Sequence, residues 1–249
     1  MAVARKMTRK SKTKEQTIPT VNRKAANWAG SNGIGDFTLT STQKDLANKI
    51  IENTITFVDS PAGTGKTLTI LHTFVKEYIR DTSKKIVIIR TPVEAGGLDK
   101  VGFLPSDLSL KLEPHFASTK NLLVQLLNKG KVEADIDNRI FFKVPNFELG
   151  NTWDNSLVLI DEAQALQPMI MKLLLERIGV NTTVVVAGDS SQLYASEAAK
   201  RNGLKDALSR FLADGESKYE NVAFHKFGVQ DVQRSEIVKT VITAYQGMM

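Results

Sequence analysis

Residues 60–67, with the sequence SPAGTGKT, have the types and spacing of a loop that surrounds phosphate groups. They match the pattern GxxxxGK[ST] at every specified position except the first, where Ser60 replaces glycine. Gly63 and Gly65 permit backbone conformations that turn successive N–H groups inward, and the N-terminus of a following helix adds its own unpaired N–H groups. Such a loop binds the β- and γ-phosphates of a nucleotide.

Two side chains at the end of this loop carry the groups that a nucleoside triphosphate and its metal need. Lys66 is predicted to bridge the β- and γ-phosphates, and the hydroxyl of Thr67 to bind Mg²⁺. A glycine turn that only caps a helix has similar residue types, but an apolar strand before the loop and an amphipathic helix after it favour the phosphate loop. The predicted nucleotide contacts of this segment are Ser60, Pro61, Ala62, Gly63, Thr64, Gly65, Lys66, Thr67 and Leu68. A positive φ at Ser60 would cost about 1 kcal/mol.

A pair of carboxylates follows the apolar run LVLI at residues 157–160. Asp161, at the end of this predicted strand, is placed to hold Mg²⁺ beside the phosphate loop. Glu162 is placed to orient or deprotonate an attacking water, since hydrolysis needs a base in line with the γ-phosphate. A solvated acidic turn is the alternative, and the phosphate loop upstream favours the metal and base roles.

A second polar segment, GDSSQ at residues 188–192, follows the next apolar strand. Its side chains are expected at the same carboxyl edge of the sheet, where ligands of open α/β sheets bind. Gln192 is placed to contact the γ-phosphate or the attacking water. A turn that caps a helix would contain the same residue types.

The elements that must position these residues alternate along the chain. We predict strands over residues 55–59, 85–90, 139–144, 156–161, 182–188 and 221–227. We predict helices over residues 41–53, 67–80, 120–129, 165–178, 203–213 and 231–245, the first of them capped by Ser41 or Thr42. The segment 91–118 is rich in proline and glycine, which suggests an excursion outside the core. This order predicts an α/β fold, a mostly parallel sheet with helices on both faces.

The net charge of +6 is unevenly distributed over the 249 residues. Residues 1–24 contain eight lysines and arginines against Glu15 alone, a charge of +7, so the other 225 residues sum to −1. Residues 1–36 show no apolar periodicity and are interpreted as a basic, flexible arm and linker, with one P-loop ATPase domain over residues 37–249. We expect the arm to bind nucleic acid in a salt-sensitive way, and a solvated leader that contributes no binding is the alternative.

Several classes of protein are excluded by what the sequence lacks. It has no cysteine, which excludes disulfides, thiolate metal sites and cysteine nucleophiles. Its three histidines are far apart in sequence, which disfavours a histidine metal site or a serine–histidine triad. No apolar run approaches the roughly 20 residues that span a bilayer. We therefore expect a cytoplasmic protein that has no membrane partner.

Several motifs in one order resemble the PhoH-like family of ATPases. They are Thr42-Gln43, the loop PAGTGKT, RTPVEAG at residues 90–96, GFLP at residues 102–105, LIDEAQ, GDSSQ and DVQR at residues 231–234. The resemblance covers about residues 38–245. It departs from the family pattern at Ser60 and at Thr91, which stands between Arg90 and Pro92.

The resemblance implies a single RecA-like core, similar to the nucleotide-binding core of superfamily 1 helicases, that binds ATP and Mg²⁺. It also implies four residue roles. Gln43 would recognise adenine, Glu162 would be the catalytic carboxylate, Gln192 would sense the γ-phosphate, and Arg234 would act as an arginine finger.

A single core raises the question of where the finger comes from. In the related helicases a second core supplies an arginine that is worth about 10³–10⁵ in rate. The finger must therefore come from the same domain or from a neighbouring subunit. Arg234 is expected at the start of the last helix, far in sequence from the phosphate loop, and we predict a head-to-tail homo-oligomeric ring, a hexamer. An ion pair of Arg234 with Asp231 or Glu236 is the alternative.

Three functions are compatible with these residues. The first is an ATPase that moves on or remodels single-stranded RNA or DNA, with Arg90, Lys100 and Lys111 touching the strand and Phe103 stacking on a base. Phe103 and Leu104 would equally fit a core or a subunit interface. The second is an ATP-regulated switch or assembly factor with no nucleic-acid substrate. The third, a small-molecule kinase, is disfavoured because Asp-Glu-Ala-Gln and the later glutamine and arginine indicate water as the phosphoryl acceptor.

Overall fold

Six parallel strands form one sheet, and their order brings the loops of the predicted site to one edge. A computed structural model describes residues 37–91, 108–192 and 202–245. The six strands of this sheet are β1 (Ile55–Asp59), β2 (Lys85–Arg90), β3 (Ile140–Lys143), β4 (Ser156–Asp161), β5 (Thr183–Gly188) and β8 (Val222–Lys226). Two short strands, β6 (Leu212–Ala213) and β7 (Glu216–Ser217), form a separate antiparallel hairpin. The sheet order is β3-β2-β4-β5-β1-β8, with every neighbouring pair parallel.

Seven α-helices accompany the strands in the described part of the chain. They are α1 (Ser41–Glu52), α2 (Lys66–Arg80), α3 (Leu108–Leu127), α4 (Lys129–Asp135), α5 (Pro168–Leu175), α6 (Gly203–Phe211) and α7 (Glu236–Tyr245). Short 3-10 turns cover Pro145–Phe147, Ala163–Ala165 and Val229–Asp231.

Alternate residues of the central strands enter two different hydrophobic cores. In β2, Ile86 and Ile88 pack into the core that α1, α2, α3 and α4 cover, whereas Val87 and Ile89 pack into the core of α5 and α6. Because successive side chains of a strand point to opposite faces, a strand covered on both faces is apolar throughout. The α/β fold with helices on both faces is therefore confirmed.

The first helix begins with a capping box that ties it to the predicted site. Thr40 is the N-cap, its hydroxyl accepts the N–H of Gln43, and the Gln43 side chain accepts the N–H of Thr40. The prediction that Ser41 or Thr42 caps this helix is therefore wrong by one or two positions.

Several predicted boundaries are corrected by packing. The excursion predicted over residues 91–118 gives way to helix α3 from Leu108 onward, and Phe116 is buried in the core. The helix predicted over 203–213 ends at Phe211, where the hairpin of β6 and β7 begins. A 3-10 turn over Ala163–Ala165 precedes α5, which runs only from Pro168 to Leu175, so that helix is shorter than the one predicted over residues 165–178.

The last helix also begins later than predicted. A 3-10 turn at Val229–Asp231 is followed by an extended segment, and α7 starts only at Glu236. Arg234 therefore precedes the helix and belongs to the connecting segment, and this changes what its side chain can reach.

Some predictions fall on residues that the structure does not describe. The basic arm over residues 1–36 lies outside the described ranges, as do Lys100, Phe103 and Leu104. Lys111 lies in α3. Among the helices of the described ranges, none is long and apolar enough to cross a membrane.

The buried His72 in α2 gives a prediction for stability. Burial, with a smaller effect from Lys76, lowers the pKa of His72 from 6.5 to about 4. The unfolded chain therefore takes up a proton on His72 at a higher pH than the folded chain does. The contribution of neutral His72 to the free energy of unfolding is complete above pH 6.5 and is lost as the pH falls toward 4. When the pH falls from about 7 to about 5, the unfolding free energy of the wild type should decrease by about 2 kcal/mol more than that of His72→Leu. The variant has no imidazole at this position to protonate.

Urea unfolding of both proteins at the two pH values measures this difference. Asn48→Ala, at an exposed position that carries no ionisable group, is the control and should follow the wild type. Equal pH dependence in His72→Leu and the wild type would contradict the prediction.

Candidate nucleotide-binding site

The phosphate loop connects the end of β1 to the start of α2 at the carboxyl edge of the sheet. Gly63 has φ +85° and Gly65 has φ +80°, a left-handed conformation that favours glycine. A methyl group on Gly63 would lie 2.8 Å from Cγ of Arg234, and one on Gly65 would lie 2.6 Å from Nε2 of Gln43. Both glycines are therefore required by backbone conformation and by close neighbours.

The serine at the start of the loop is explained by its hydrogen bonds. Ser60 has no positive φ, so the cost considered for a serine there does not arise. Its N–H donates to the carbonyl of Gly188 at 2.9 Å, and its hydroxyl lies 2.5 Å from that of Thr64 and donates to the carbonyl of Pro61 at 2.9 Å. Because Ser60 and Thr64 are both buried, these bonds hold the loop from inside.

The remaining loop residues lie where the sequence predicts. Helix α2 begins at Lys66, no side chain caps it, and Thr67 and Leu68 form its first turn. The Lys66 ammonium lies 3.4 Å from the carbonyl of Ser60, folded over the loop. Pro61 precedes a turn at Ala62 and Gly63, Ala62 is exposed, and the side chain of Leu68 packs against the core. The helix start and the lysine together provide N–H donors and positive charge at one place.

Gln43 lies under the loop, and both ends of its side-chain amide bond to backbone groups. It is 3% exposed, its Nε2 donates to the carbonyl of Thr64 at 3.0 Å, and its Oε1 accepts the N–H of Thr40 at 3.1 Å. One amide thus joins the first turn of α1 to the phosphate loop. Adenine recognition by Gln43 stays a prediction, and these contacts give the residue a second role, supporting the loop.

Arg234 lies against the phosphate loop of its own chain. The N–H of the preceding Gln233 donates to the carbonyl of Gly63 at 2.9 Å, which fixes this segment to the loop. The Arg234 side chain then runs across Gly63, with Nε 3.3 Å from the position that a methyl group would take. Hence a guanidinium reaches the phosphate loop without a second subunit.

Asp161 ends β4 and is buried close to three other charged groups. It is 3% exposed, and burial raises the pKa of its carboxyl, with Glu162 adding to the rise and Arg90 and Lys66 opposing it. Within the described part of the chain, its Oδ1 has no hydrogen-bond partner. A buried carboxylate oxygen without a donor is unfavourable unless a cation or a proton reaches it.

The residues present fit Mg²⁺. The unpaired oxygen of Asp161 and the hydroxyl of Thr67 are hard oxygen ligands of the kind that Mg²⁺ prefers. Across the described ranges, no three histidine, aspartate or glutamate side chains gather around one point. A magnesium ion at this edge would therefore complete its coordination with nucleotide oxygens and waters, as is usual for this metal.

Glu162 follows Asp161 and is held in an unusual backbone conformation. Its φ of 53° and ψ of 41° place it in the left-handed region, which is uncommon for a residue other than glycine and recurs at functional sites. Its Oε1 lies 3.3 Å from Nη2 of Arg90, and its Oε2 accepts a 2.7 Å bond from Nε2 of Gln164. Both carboxylate oxygens thus have a fixed donor.

Gln192 is joined to this carboxylate through Gln164. The Nε2 of Gln164 also donates to Oε1 of Gln192 at 3.2 Å, and the Oε1 of Gln164 accepts the N–H of Asp189 at 3.1 Å. Gln192 in turn donates to Asp189 at 3.2 Å. The segment after β5 is therefore hydrogen-bonded to the segment after β4, as expected for adjacent strands.

The structure brings every predicted nucleotide-site residue to this one edge of the sheet, together with Arg90 and Gln164, which the sequence alone does not place there. Arg90, which the sequence predicts to touch a nucleic-acid strand, pairs in the structure with Asp161 and Glu162. Gln164 stands out in the sequence only as the last residue of Asp-Glu-Ala-Gln. The feature that could have indicated a site role for Arg90 is its position at the end of strand β2, which the parallel ladder pairs with Asp161 at the end of β4.

The sheet order and the loop define the class of the protein, a RecA-like P-loop fold. The fold is similar to that of the large terminase from a thermophilic bacteriophage, with a TM-score of 0.50 and 10% sequence identity. That similarity covers 83% of this chain and 50% of the terminase.

Sequence comparison then identifies the family. The profile of the PhoH-like proteins matches residues 37–246, and the chain belongs to this family. It is 31% identical over 209 residues to a PhoH-like protein of Synechocystis sp. (strain ATCC 27184 / PCC 6803 / Kazusa), covering 83% of this chain and 61% of that protein. It is 30% identical over 207 residues to a PhoH-like protein of Bacillus subtilis (strain 168), covering 83% and 62%. The chain thus spans about three fifths of these relatives.

The contacts of Gln43 lead to a prediction about nucleotide affinity. If the loop binds nucleoside triphosphates, Gln43→Ala should weaken the binding of ATP and GTP by the same factor, about fivefold, because a hydrogen bond to the loop is lost. Titration with fluorescent analogues of both nucleotides measures the two affinities.

Asn48→Ala is the matched control, because Asn48 is exposed on the same helix. It should leave both affinities at their wild-type values. Weaker binding of ATP alone in Gln43→Ala would contradict the supporting role and would instead indicate that Gln43 recognises adenine.

Proposed function

We propose that this protein binds and hydrolyses ATP in a Mg²⁺-dependent reaction. The observation that carries the proposal is the meeting of a phosphate loop, with Lys66 folded over it, and the pair Asp161 and Glu162 at one edge of a parallel sheet. The N–H of Ser60 bonds the loop to the carbonyl of Gly188. Gln164 accepts the N–H of the next residue, Asp189, and donates to the carboxylate of Glu162. Phosphate-binding and water-activating groups are therefore close together, as hydrolysis of a phosphoanhydride requires.

The chain's own residues supply most of the chemistry. The N–H groups of the loop and of the first turn of α2 bind the β- and γ-phosphates, and Lys66 compensates their charge. Glu162 orients the attacking water and accepts its proton. Gln192, linked to Glu162 through Gln164, responds to the γ-phosphate. Arg234, lying across Gly63, meets the negative charge that develops in the transition state.

Thr67 and Asp161 would hold the metal. When bound, Mg²⁺ neutralises charge on the β- and γ-phosphate oxygens. The unpaired Oδ1 of Asp161, which has no hydrogen-bond partner among the described residues, supports this assignment.

We further infer that hydrolysis is coupled to movement on, or remodelling of, single-stranded RNA or DNA. The eight lysines and arginines of residues 1–24 support a sequence-independent attraction to a nucleic-acid backbone. The alternative is an ATP-regulated switch without a nucleic-acid substrate, which the nearly neutral remainder of the chain allows. Cytoplasmic location stays a prediction.

An ATPase assay with and without single-stranded RNA and DNA tests the proposal. Glu162→Gln should lower kcat at least about 100-fold, because the base is lost. Lys66→Ala should abolish both hydrolysis and nucleotide binding, because the charge that compensates the phosphates is lost. Addition of a strand should stimulate the wild type. Lys44→Ala and Glu220→Gln, both at exposed positions, are matched controls that should keep the wild-type rate.

Each contrary outcome removes a different part of the proposal. Full activity in Glu162→Gln would remove the assigned base. Indifference to either strand at low salt would favour the switch, and a phosphorylated small-molecule product would revive the kinase.

The ring is a separate prediction of this function. Because Arg234 reaches the loop of its own chain, a ring is not needed to supply the finger, and the head-to-tail hexamer stays a prediction from the sequence alone. It predicts a mass in ATP and Mg²⁺ six times the 27.5 kDa of one chain. Size-exclusion chromatography with light scattering measures the mass, with a nucleotide-free sample as control. A monomer under both conditions would contradict the ring.

A further inference from the structure

Arg90 contacts both acidic residues of the site. Its Nη1 lies 3.7 Å from Oδ2 of Asp161, and its Nη2 lies 3.3 Å from Oε1 of Glu162. The planar guanidinium presents several N–H donors in a fixed arrangement, which allows one side chain to hold two carboxylates. A lysine ammonium cannot fix both in the same geometry.

The position of Arg90 is set by the sheet. Arg90 is the last residue of β2 and stands level with Asp161 in the parallel ladder of β2 and β4. Its side chain is 22% exposed, and that of Asp161 is 4% exposed, so their attraction is only partly screened by water. The strand pairing therefore delivers a positive charge to the point where two negative charges are adjacent.

Arg90 leaves one oxygen of Asp161 available. The guanidinium lies beside Oδ2, whereas Oδ1 is the buried atom without a hydrogen-bond partner in the described ranges. In Glu162, Arg90 takes Oε1 and Gln164 takes Oε2. The arginine thus hydrogen-bonds to Glu162, pairs with Asp161 by charge, and still leaves an oxygen of Asp161 for another ligand.

We propose that Arg90 is a positioning residue that holds Glu162 in place for attack by water and compensates the adjacent negative charges of Asp161 and Glu162. This inference rests on the proposed ATPase function and adds a residue to it. Arg90 acts through Glu162 rather than through the nucleotide. The left-handed backbone of Glu162 makes such support necessary, because a strained residue persists only when its surroundings hold it.

A residue that positions Glu162 should affect kcat and leave nucleotide binding nearly unchanged. Arg90→Gln should lower kcat about tenfold to a hundredfold, because a misplaced base loses much of its effect, while KM for ATP and the affinity for a fluorescent ATP analogue change less than about threefold. Arg80→Gln is the matched control, since Arg80 forms an exposed ion pair with Glu77 on α2. It should leave kcat, KM and affinity at wild-type values.

Rescue and a double-mutant cycle distinguish positioning from general support of the fold. Millimolar guanidinium ion should restore part of the kcat of Arg90→Ala, and urea at the same concentration should not. In a Glu162→Gln background, Arg90→Gln should change the residual rate less than about twofold, because its effect passes through Glu162. Arg90→Lys keeps the charge if the alanine and glutamine variants fail to fold, and its kcat should lie between those of Arg90→Gln and the wild type.

The outcomes are distinguishable from failure of the ATPase proposal itself. If the wild type does not hydrolyse ATP, the proposed function fails. If the wild type is active and Glu162→Gln is not, but Arg90→Gln and Arg90→Lys match the wild type, only the role of Arg90 is overturned. A rise in kcat in Arg90→Gln, or an equal fall of rate in both backgrounds of the cycle, also overturns it.

Discussion

The backbone of the phosphate loop must keep two left-handed glycines, and much of the surrounding structure serves that requirement. Gln43 bonds the loop from α1, Ser60 bonds it to the end of β5, and Gln233 bonds it to the segment before α7. Three elements that are distant in sequence thus meet at one short loop. Bonds prepared before a ligand arrives reduce the ordering that binding would otherwise require.

Charge balance is the second constraint at this edge of the sheet. Two adjacent carboxylates, one of them buried, would repel each other and resist ionisation without nearby cations. Arg90 and Lys66 oppose the rise in the pKa of Asp161, and they do so from different elements, the end of β2 and the start of α2. The site therefore depends on the order of the strands, because that order brings these charges together.

The strands and the loop were predictable because their signals are local. Runs buried on both faces are apolar throughout, and Asp161 and Glu162 directly follow such a run, while the spacing of the loop itself marks Lys66. Arg90 and Gln43 were harder to assign, since their partners depend on strand and helix neighbours that no sequence spacing reveals. The sequence does not mark the start of α7, because the apolar pattern at Val229 and Val232 continues through the 3-10 turn, and the contact of Arg234 with the loop depends on tertiary packing.

The most direct test is a crystal structure with Mn²⁺ and a non-hydrolysable ATP analogue. We expect phosphates within hydrogen-bond distance of the N–H groups of residues 63–67. We also expect an anomalous Mn²⁺ peak beside the hydroxyl of Thr67, with Asp161 as a ligand directly or through water. A nucleotide bound elsewhere, with the loop empty, would contradict the assignment of this edge as the nucleotide site.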